Sequence, residues 1–429
     1  MPGASLRIEI DERPLLLGRR FDTDYVTRLI RSAVFLGAGI EAGAQGHEVV
    51  AQPRGIWSTG APVEPEELIE TLTAARTHRL WRLPLAGMRT ARVDGGRVVI
   101  ELAGANSALG PALAAPELAP TSLTGAFNGP YVVAEMTQQV VRCRPNPHIS
   151  GAARRPALEF VVNRDVHESP RGFAAGGYDI TCNTGFPYGA VAEWRNDARF
   201  RQADSGIWVQ LDFSSRTPLA RDPGVRQALW SALDLPAICR SIGAGLVPAR
   251  SFGPMALAVG AAPLEPRPGV LPDALRTRPI VAIFNDYYPN RALLEAVAEA
   301  WARAFGLTVT LSPVPFGSMP NRPYDLQLTL NFPHYDHPLA SLSPFIGAVA
   351  LFAAPDAAKV YGSALTRLRG APPGAWSALV RKATFVLGEV LPCLPLATVQ
   401  SLWLQNSSAG EFRYAPDTVH DFSDLGAAS

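Results

Sequence analysis

The sequence predicts an α/β protein built as two hinge-connected lobes, and three observations carry that prediction. The chain has 429 residues, too many for one ordinary core. Its best-patterned stretch, residues 280–332, reads strand, helix, strand, strand in a doubly wound order. A proline-rich run at 254–279, with AAPLEPRPGVLPDALRTRP its densest part, suits a stiff crossing between lobes, and a return crossing falls near Leu391 to Pro395. Two crossings make a hinge.

Composition narrows the function classes. A net charge of +1 with no basic stripe argues against nucleic acid or an anionic membrane as partner. The 39 prolines and 37 glycines are spread along a chain that is 47% hydrophobic, which describes a loop-rich globular protein rather than a low-complexity one. Cys143, Cys182, Cys239 and Cys393 lie far apart without a C-x-x-C pair, so structural thiols are favoured over a disulfide or a metal site. The opening MPGASLRIEIDERP has no basic-then-apolar leader pattern, so a cytoplasmic location is expected, with a periplasmic or extracellular one as the alternative if a signal peptide is missing from this sequence. No run of about twenty apolar residues exists, so no membrane insertion is expected, and a monomer is.

Residues 6–10 predict a strand, and Asp22 to Leu36 a helix capped by Asp22 or Thr23 with Val26, Leu29, Ile30 and Val34 inward. Gly37, Gly39 and Ala42 match the G-x-G-x-x-A pattern of a dinucleotide fingerprint. The upstream residues read as helix, however, and there is no room for a crossover helix before Gly46, so no cofactor is expected. In GIWSTGAPVEPEELIETL, Gly55 to Leu72, a Trp/Gly/Pro turn feeds a helix. Pro65 sits in its first turn, Glu66 and Glu67 suit its dipole, and Leu68, Ile69 and Leu72 form a buried face. Hairpins follow at 88–103, turning at Asp94 to Gly96 with Val98, Ile100 and Leu102 inward, and at Asn128 to His148, whose arginines suit solvated strand edges.

From Pro156 to Asn183 a strand is expected, but VHESPRGFAAGGYDI is too short and rich in Gly and Pro for a full helix. Asp222 and Pro223 open a helix carrying Val225, Ala228, Leu229 and Ala232 on one stripe, and Leu235 to Ile242 gives a second ended by Gly243. Trp230, Arg226 and Asp234 read as packing and helix-end charges. In the second lobe PIVAIFN is an apolar strand, Asn290 caps a helix over Arg291 to Phe305, Gly306 ends it, and LTVTLSPV and YDLQLTLNF supply two more strands. Pro373 to Val390 predicts a helix with Trp376, Leu379, Val380, Ala383, Phe385 and Leu387 available for core. LPCLPLATVQSLWLQ follows as a strand, and the tail after Phe412 reads as a surface closure.

Several of these segments together are similar to one family. Gly55 to Leu72 resembles the "WSDG-P-V-x-A-E-D-V" segment of the family 5 solute-binding proteins, the peptide- and nickel-binding receptors of ABC importers. Gly129, Pro130, Tyr131, Arg142, Pro145, Asn146 and Pro147 resemble that family's "G-T-G-P-Y-x-V … x-R-N-P" element. In Ser215 to Pro248, Arg226, Gln227, Ala228, Leu229 and Asp234 stand in register with its "R-V-R-Q-A-L-x-x-A-I-D-R" signature, with Leu235 replacing the last arginine. The resemblance implies a two-lobed, type II periplasmic-binding-protein-like fold, trimmed in places. Lobe I would be 1–265 plus 395–429, including a smaller β-rich subdomain, and lobe II 266–394, with the ligand cleft between them.

In such sheets ligands gather at the carboxyl ends of strands, so the loops NDYYPN and NFPHYDHP are expected to face the cleft. The candidate ligand-binding residues are therefore Asn285, Asp286, Tyr287, Asn331, Phe332, His334, Tyr335 and Asp336, with Tyr287, Tyr288 and Tyr335 lining a pocket. The resemblance puts His334 where family peptide receptors often carry an aspartate that pairs with a peptide's α-ammonium group. Free-amine peptides are then weaker ligands unless Asp336 or Asp286 substitutes. His334, Asp336 and His337 are also the candidates for acid/base chemistry or metal binding, set against simple polar contact or loop packing. There is no G-x-S-x-G, P-loop or H-E-x-x-H. A solute-binding protein for a small polar or peptide-like molecule, serving an ABC permease, is the leading expectation. The alternative is a cytoplasmic protein that keeps the fold but acts as a biosynthetic enzyme or a sensor.

Overall fold

Alternating apolar residues at the start of the chain form β1 (Leu6–Ile10), and Asp24 then opens α1 (Tyr25–Val34) by accepting a 2.8 Å hydrogen bond from Thr27 N. In this computed structural model the described residues are 5–14, 17, 21, 24–41, 47–120, 122, 125–254, 260–315, 318, 323–410, 412–416, 418–422 and 425. Asp22 and Thr23, expected as the α1 cap, lie outside them, as do Ala42 and Gly46 of the glycine-rich pattern; the cap is Asp24. After α1 come β2 (Gly39–Ile40), β3 (Glu48–Gln52), α2 (Pro65–Ala75), β4 (Met88–Asp94), β5 (Arg97–Leu102) and α3 (Leu109–Leu113). Strands β2 and β3 pair antiparallel.

The turn before α2 is held by its own side chains. Glu67 accepts from both Glu64 N and the indole of buried Trp57, each at 2.9 Å, closing the first turn of the helix. Gly55 adopts φ +84°, and a Cβ there would sit 1.9 Å from Asn128 O, so no larger residue fits that crossing.

The chain continues with β6 (Tyr131–Met136), β7 (Val140–Pro145), β8 (Leu158–Val162), α4 (Ser169–Ala174), α5 (Val191–Trp194), β9 (Phe200–Phe213), α6 (Pro223–Ser231), α7 (Leu235–Ile242) and β10 (Leu246–Pro248). It ends with β11 (Ile280–Asn285), α8 (Asn290–Phe305), β12 (Val309–Val314), β13 (Leu326–Asn331), α9 (Pro338–Leu342), α10 (Ile346–Phe352), α11 (Pro355–Gly370), α12 (Pro373–Val390) and β14 (Cys393–Leu404). Three sheets result, ordered β1-β8-β7-β6, β2-β3-β5-β4 and β10-β14-β9-β13-β11-β12. Two buried cores accompany them. One gathers β1, α1, Phe160 and the aromatic tail; the other runs from the β2–β5 subdomain through the six-stranded sheet to α12.

Three features depart from the sequence reading. The 14-residue β9 had no clear signal, because its first half is polar and its alternation breaks at Gly206; it nevertheless pairs with both β13 and β14 at the centre of the large sheet. The tail after Phe412 is not a surface closure: Phe412, Tyr414, His420 and Phe422 are buried, and Tyr414 donates to Thr181 O at 3.0 Å. Phe385, expected in the core, is 58% exposed. Smaller differences are the short helix α4 where Gly and Pro argued against one, and Asn290, which is the first residue of α8 and donates its amide back to Asn285 O at 2.9 Å instead of capping. All four cysteines are buried free thiols.

The two long strands β9 and β14 pair antiparallel along most of their length. At one end Arg199 and Gln405 meet near β1; at the other Phe213 pairs with Leu326 and Asp212 with Cys393. Helices α6 and α7, placed in lobe I by a boundary at 265, pack toward the second lobe. Trp301 donates to Leu229 O at 2.7 Å, and the buried Arg226 guanidinium donates to Val390 O at 2.8 Å. Arg226 meets carbonyls and no carboxylate, and burial lowers its pKa to about 10.

On α1 the buried polar residues join distant segments. Arg28 pairs with Glu117 at 2.5 Å, both side chains fully buried, and donates to Thr418 O at 3.1 Å and His334 O at 2.7 Å. Glu117→Ala would remove the carboxylate from a buried guanidinium and is expected to cost about 3–5 kcal/mol in denaturant unfolding, whereas an Arg28→Met, Glu117→Leu double replacement should cost markedly less. Equal losses in the two variants would show that packing, not the charge pair, sets the energy at this junction.

Candidate functional site

The carboxyl ends of β1, β11 and β13 converge on one cavity of about 330 Å³. One wall comes from the chain around β1, α1 and β9: Asp11, Glu12, Asp24, Tyr25, Val26, Thr184 and Ile207. The other comes from β11, α8 and β13: Asn285, Tyr287, Asn290, Gln327 to Leu330, and Phe332. A smaller cavity of about 140 Å³ adjoins it, sharing Asp11, Glu12 and Tyr287 and adding Glu9, Asn163, Arg164 and Asp286.

The structure therefore divides the eight sequence candidates. Asn285, Tyr287 and Phe332 line the larger cavity, and Asp286 and Tyr287 the smaller. Asn331, His334, Tyr335 and Asp336 line neither. Asn331 ends β13 and donates to Thr329; Tyr335 is 1% exposed and packs on Trp81 at 5.8 Å. His334 lies between Phe332 and Trp81 with its carbonyl on Arg28, and Asp336 is exposed to solvent. A histidine and a tyrosine adjacent in an irregular loop need not share a face.

His337 does not join His334 and Asp336 in a catalytic or metal cluster. It caps α9 instead, its Nδ1 accepting from Leu339 N at 3.1 Å while Nε2 meets Ser107 Oγ at 3.1 Å. Burial lowers its pKa to about 4, which keeps the ring neutral and Nδ1 free to accept. Among the described residues no group of three His, Cys, Asp or Glu side chains could hold a metal ion, and no helix is long and apolar enough to cross a membrane.

The missed wall residues include three carboxylates, Asp11, Glu12 and Asp24. Asp24 follows the expected caps Asp22 and Thr23 and was not itself a candidate, and Asp11 and Glu12 follow β1, whose carboxyl end the strand-end rule could have flagged had β1 been placed beside β11. Their charges are unevenly balanced. Arg164 donates to Glu12 at 2.6 Å, and Arg291 holds Asp286 through two bonds, the shorter 2.6 Å. Asp11 accepts from the Thr184 hydroxyl at 3.2 Å. Burial, reinforced by Asp24 and Glu12, raises its carboxyl to about 6. Glu9, 2% exposed, is also raised by burial although Asn163, Ser169 and Cys182 N all donate to it.

A two-lobed fold with a cavity whose lining mixes apolar faces and a few polar groups is the architecture of a solute receptor. Residues 97–350 match the sequence pattern of the bacterial extracellular solute-binding proteins, family 5, and the chain belongs to that family. Its fold matches the murein tripeptide binding protein MppA of Escherichia coli at 18% identity over 98% of both chains, with a TM-score of 0.82. OppA of Haemophilus influenzae, solved in complex with RPPGFSPFR, matches at 14% identity over 98% of both chains with a TM-score of 0.82. NikA of Brucella suis in complex with Fe(III)-EDTA matches at 15% identity over 98% of this chain and 99% of that one, with a TM-score of 0.75. No curated protein sequence matches. The protein is thus a solute-binding protein by family, and the family's extracellular description replaces the cytoplasmic expectation with the alternative location as the better reading.

The raised Asp11 carboxyl sets a pH dependence. Its folded value near 6 lies above the ordinary 3.8, so the ionised group costs stability above about pH 6, and that cost disappears as pH falls toward 4 and the folded protein takes up the proton first. Asp11→Asn should therefore raise the stability of the empty protein by about 3 kcal/mol at pH 7.5 and change it little at pH 4. Thermal unfolding at the two pH values checks this, and a gain of the same size at both would contradict it.

Proposed function

We propose that the protein captures a small polar or peptide-like solute in the cavity between its lobes and delivers it, outside the cytoplasm and as a monomer, to an ABC permease. The observation that carries the reading is the cavity of about 330 Å³ at the carboxyl ends of β1, β11 and β13, walled by both lobes. Its volume suits a small ligand, and its lining mixes apolar faces with a few placed polar groups. Asn285, Tyr287 and Phe332 are the sequence candidates we assign to ligand contact, with Asp286 at the edge of the adjoining space. MppA binds a murein tripeptide and OppA was solved with a nonapeptide, which makes a peptide-like solute the natural first class to test.

We further assign the hinge to β9 and β14. The two cores, and the packing of α6 and α7 against Trp301 and Val390, support a lobe II that begins within β9 rather than at 266. Closure would then pivot on two antiparallel strands, the stiffest connection the chain offers. The enzyme and sensor alternatives are not favoured, since His334, Asp336 and His337 point into separate environments.

Protein purified without refolding from its native cell fraction, then denatured and extracted, should release a small molecule identifiable by mass spectrometry. Isothermal titration of that molecule into stripped protein should show binding, weakened about tenfold or more by Leu330→Trp at the half-open edge of the cavity. Undiminished binding in the Trp variant would move the site elsewhere. A stripped protein that binds nothing it carried would overturn the receptor reading.

A further inference from the structure

The charges around the larger cavity are one-sided. Asp11, Glu12 and Asp24 stand on one wall, and among the described lining residues there is no Lys, Arg or His. Glu12 has Arg164 as counterion, at 2.6 Å. Among the described residues Asp11 and Asp24 have none: the first accepts from the Thr184 hydroxyl, the second from Thr27 N and the Thr27 hydroxyl. Across the cavity, Asn290 is 2% exposed and spends its amide hydrogens on Asn285 O, which fixes the orientation of the group and leaves Oδ1 with no hydrogen bond from the described residues. Tyr25, Tyr287 and Phe332 supply aromatic rings between the two walls.

From this arrangement we propose that the cavity selects a solute bearing a protonated amine and no strongly acidic group, with Asp11 and Asp24 as its cation-binding residues. The proposal rests on the receptor reading above. Two uncompensated carboxylates in a partly dry cavity are unfavourable, and a bound ammonium offsets that cost while donating up to three hydrogen bonds. The Oδ1 of Asn290, a cavity-lining residue, is one more place for those donors to go. Aromatic faces attract the same charge. A ligand carboxylate or phosphate meets only repulsion from this wall.

Three probes of nearly one shape separate the charge states: alanyl-leucinamide, a cation; alanyl-leucine, a zwitterion; and N-acetyl-alanyl-leucinamide, neutral. Isothermal titration at pH 7.5 should rank them in that order, with N-acetylation weakening binding about tenfold or more. Asp11→Asn and Asp24→Asn should each lower affinity for the cation while leaving the acetylated probe unchanged, a split that loss of folding cannot produce. Equal affinity for the cationic and acetylated probes would overturn the proposal. If none of the three binds, the charge of the solute released from native protein decides: a cation without an acidic group supports the proposal, and a neutral or anionic solute overturns it while leaving the receptor reading intact.

Discussion

Arg28 is the point on which the arrangement of the chain turns. Its fully buried guanidinium touches the carboxylate of Glu117 from the β2–β5 subdomain, the carbonyl of Thr418 from the tail and the carbonyl of His334 from the loop after β13. Residues 28, 117, 334 and 418 are far apart in sequence, and each brings a different layer of the fold. A buried charge must be matched on every side, so this one residue fixes where three neighbours stand relative to α1. Nearby on the same helix, Arg31 donates to Pro116 O at 2.9 Å and Ser32 accepts from His420 N at 3.3 Å. The polar stripe of α1 is thus a seam, and the carboxylate that caps the helix lies at the edge of the cavity.

The second constraint is geometric. β9 has to pass from one lobe to the other while the tail crosses over it. At Gly206 the backbone takes φ +68°, and a Cβ there would lie 1.8 Å from Pro416 O. The register with β14 slips twice in the same region, between Pro395 and Ala397 and between Thr398 and Gln400. Bends of this kind re-aim a strand without ending it. They let one pair of strands belong to the core of lobe II at Leu211 and Leu394 and reach the first lobe at Trp403.

Local patterns made most of the scaffold legible. The β4–β5 hairpin, α6 and α7 with their Asp caps, and the β11–α8–β12 unit all carry period, cap and terminator within a few residues of one another. What escaped depends on partners distant in sequence. β9 is half polar because its first residues pair with β14 at a solvent-facing edge, and its burial begins only where β13 joins on the other side. The aromatic tail has no period because Phe412, Tyr414 and Phe422 fill separate gaps around one another and Phe160. The candidate site was half legible for the same reason. Strand ends of the second lobe could be read from β11 and β13, which gave Asn285, Tyr287 and Phe332, while the wall opposite follows a strand in another sheet, and nothing local to Asp11 says what it faces.

That opposite wall also changes what the family resemblance means for this chain. In a receptor the scaffold and the selectivity are carried by different residues, and the matched blocks around Trp57 and Arg226 belong to the scaffold: Trp57 closes a helix start, and Arg226 ties α6 to the end of α12. Neither touches the cavity. Selectivity rests on side chains whose burial is costly until something fills the space between them. Asp11, pushed up to about 6 by burial and by the neighbouring acids, is such a side chain. A residue that served only the fold would be better replaced by a neutral one of the same shape. Keeping a carboxylate where the empty protein loses stability by it makes sense when the missing charge arrives with the ligand, so that closure and charge neutralisation become one event.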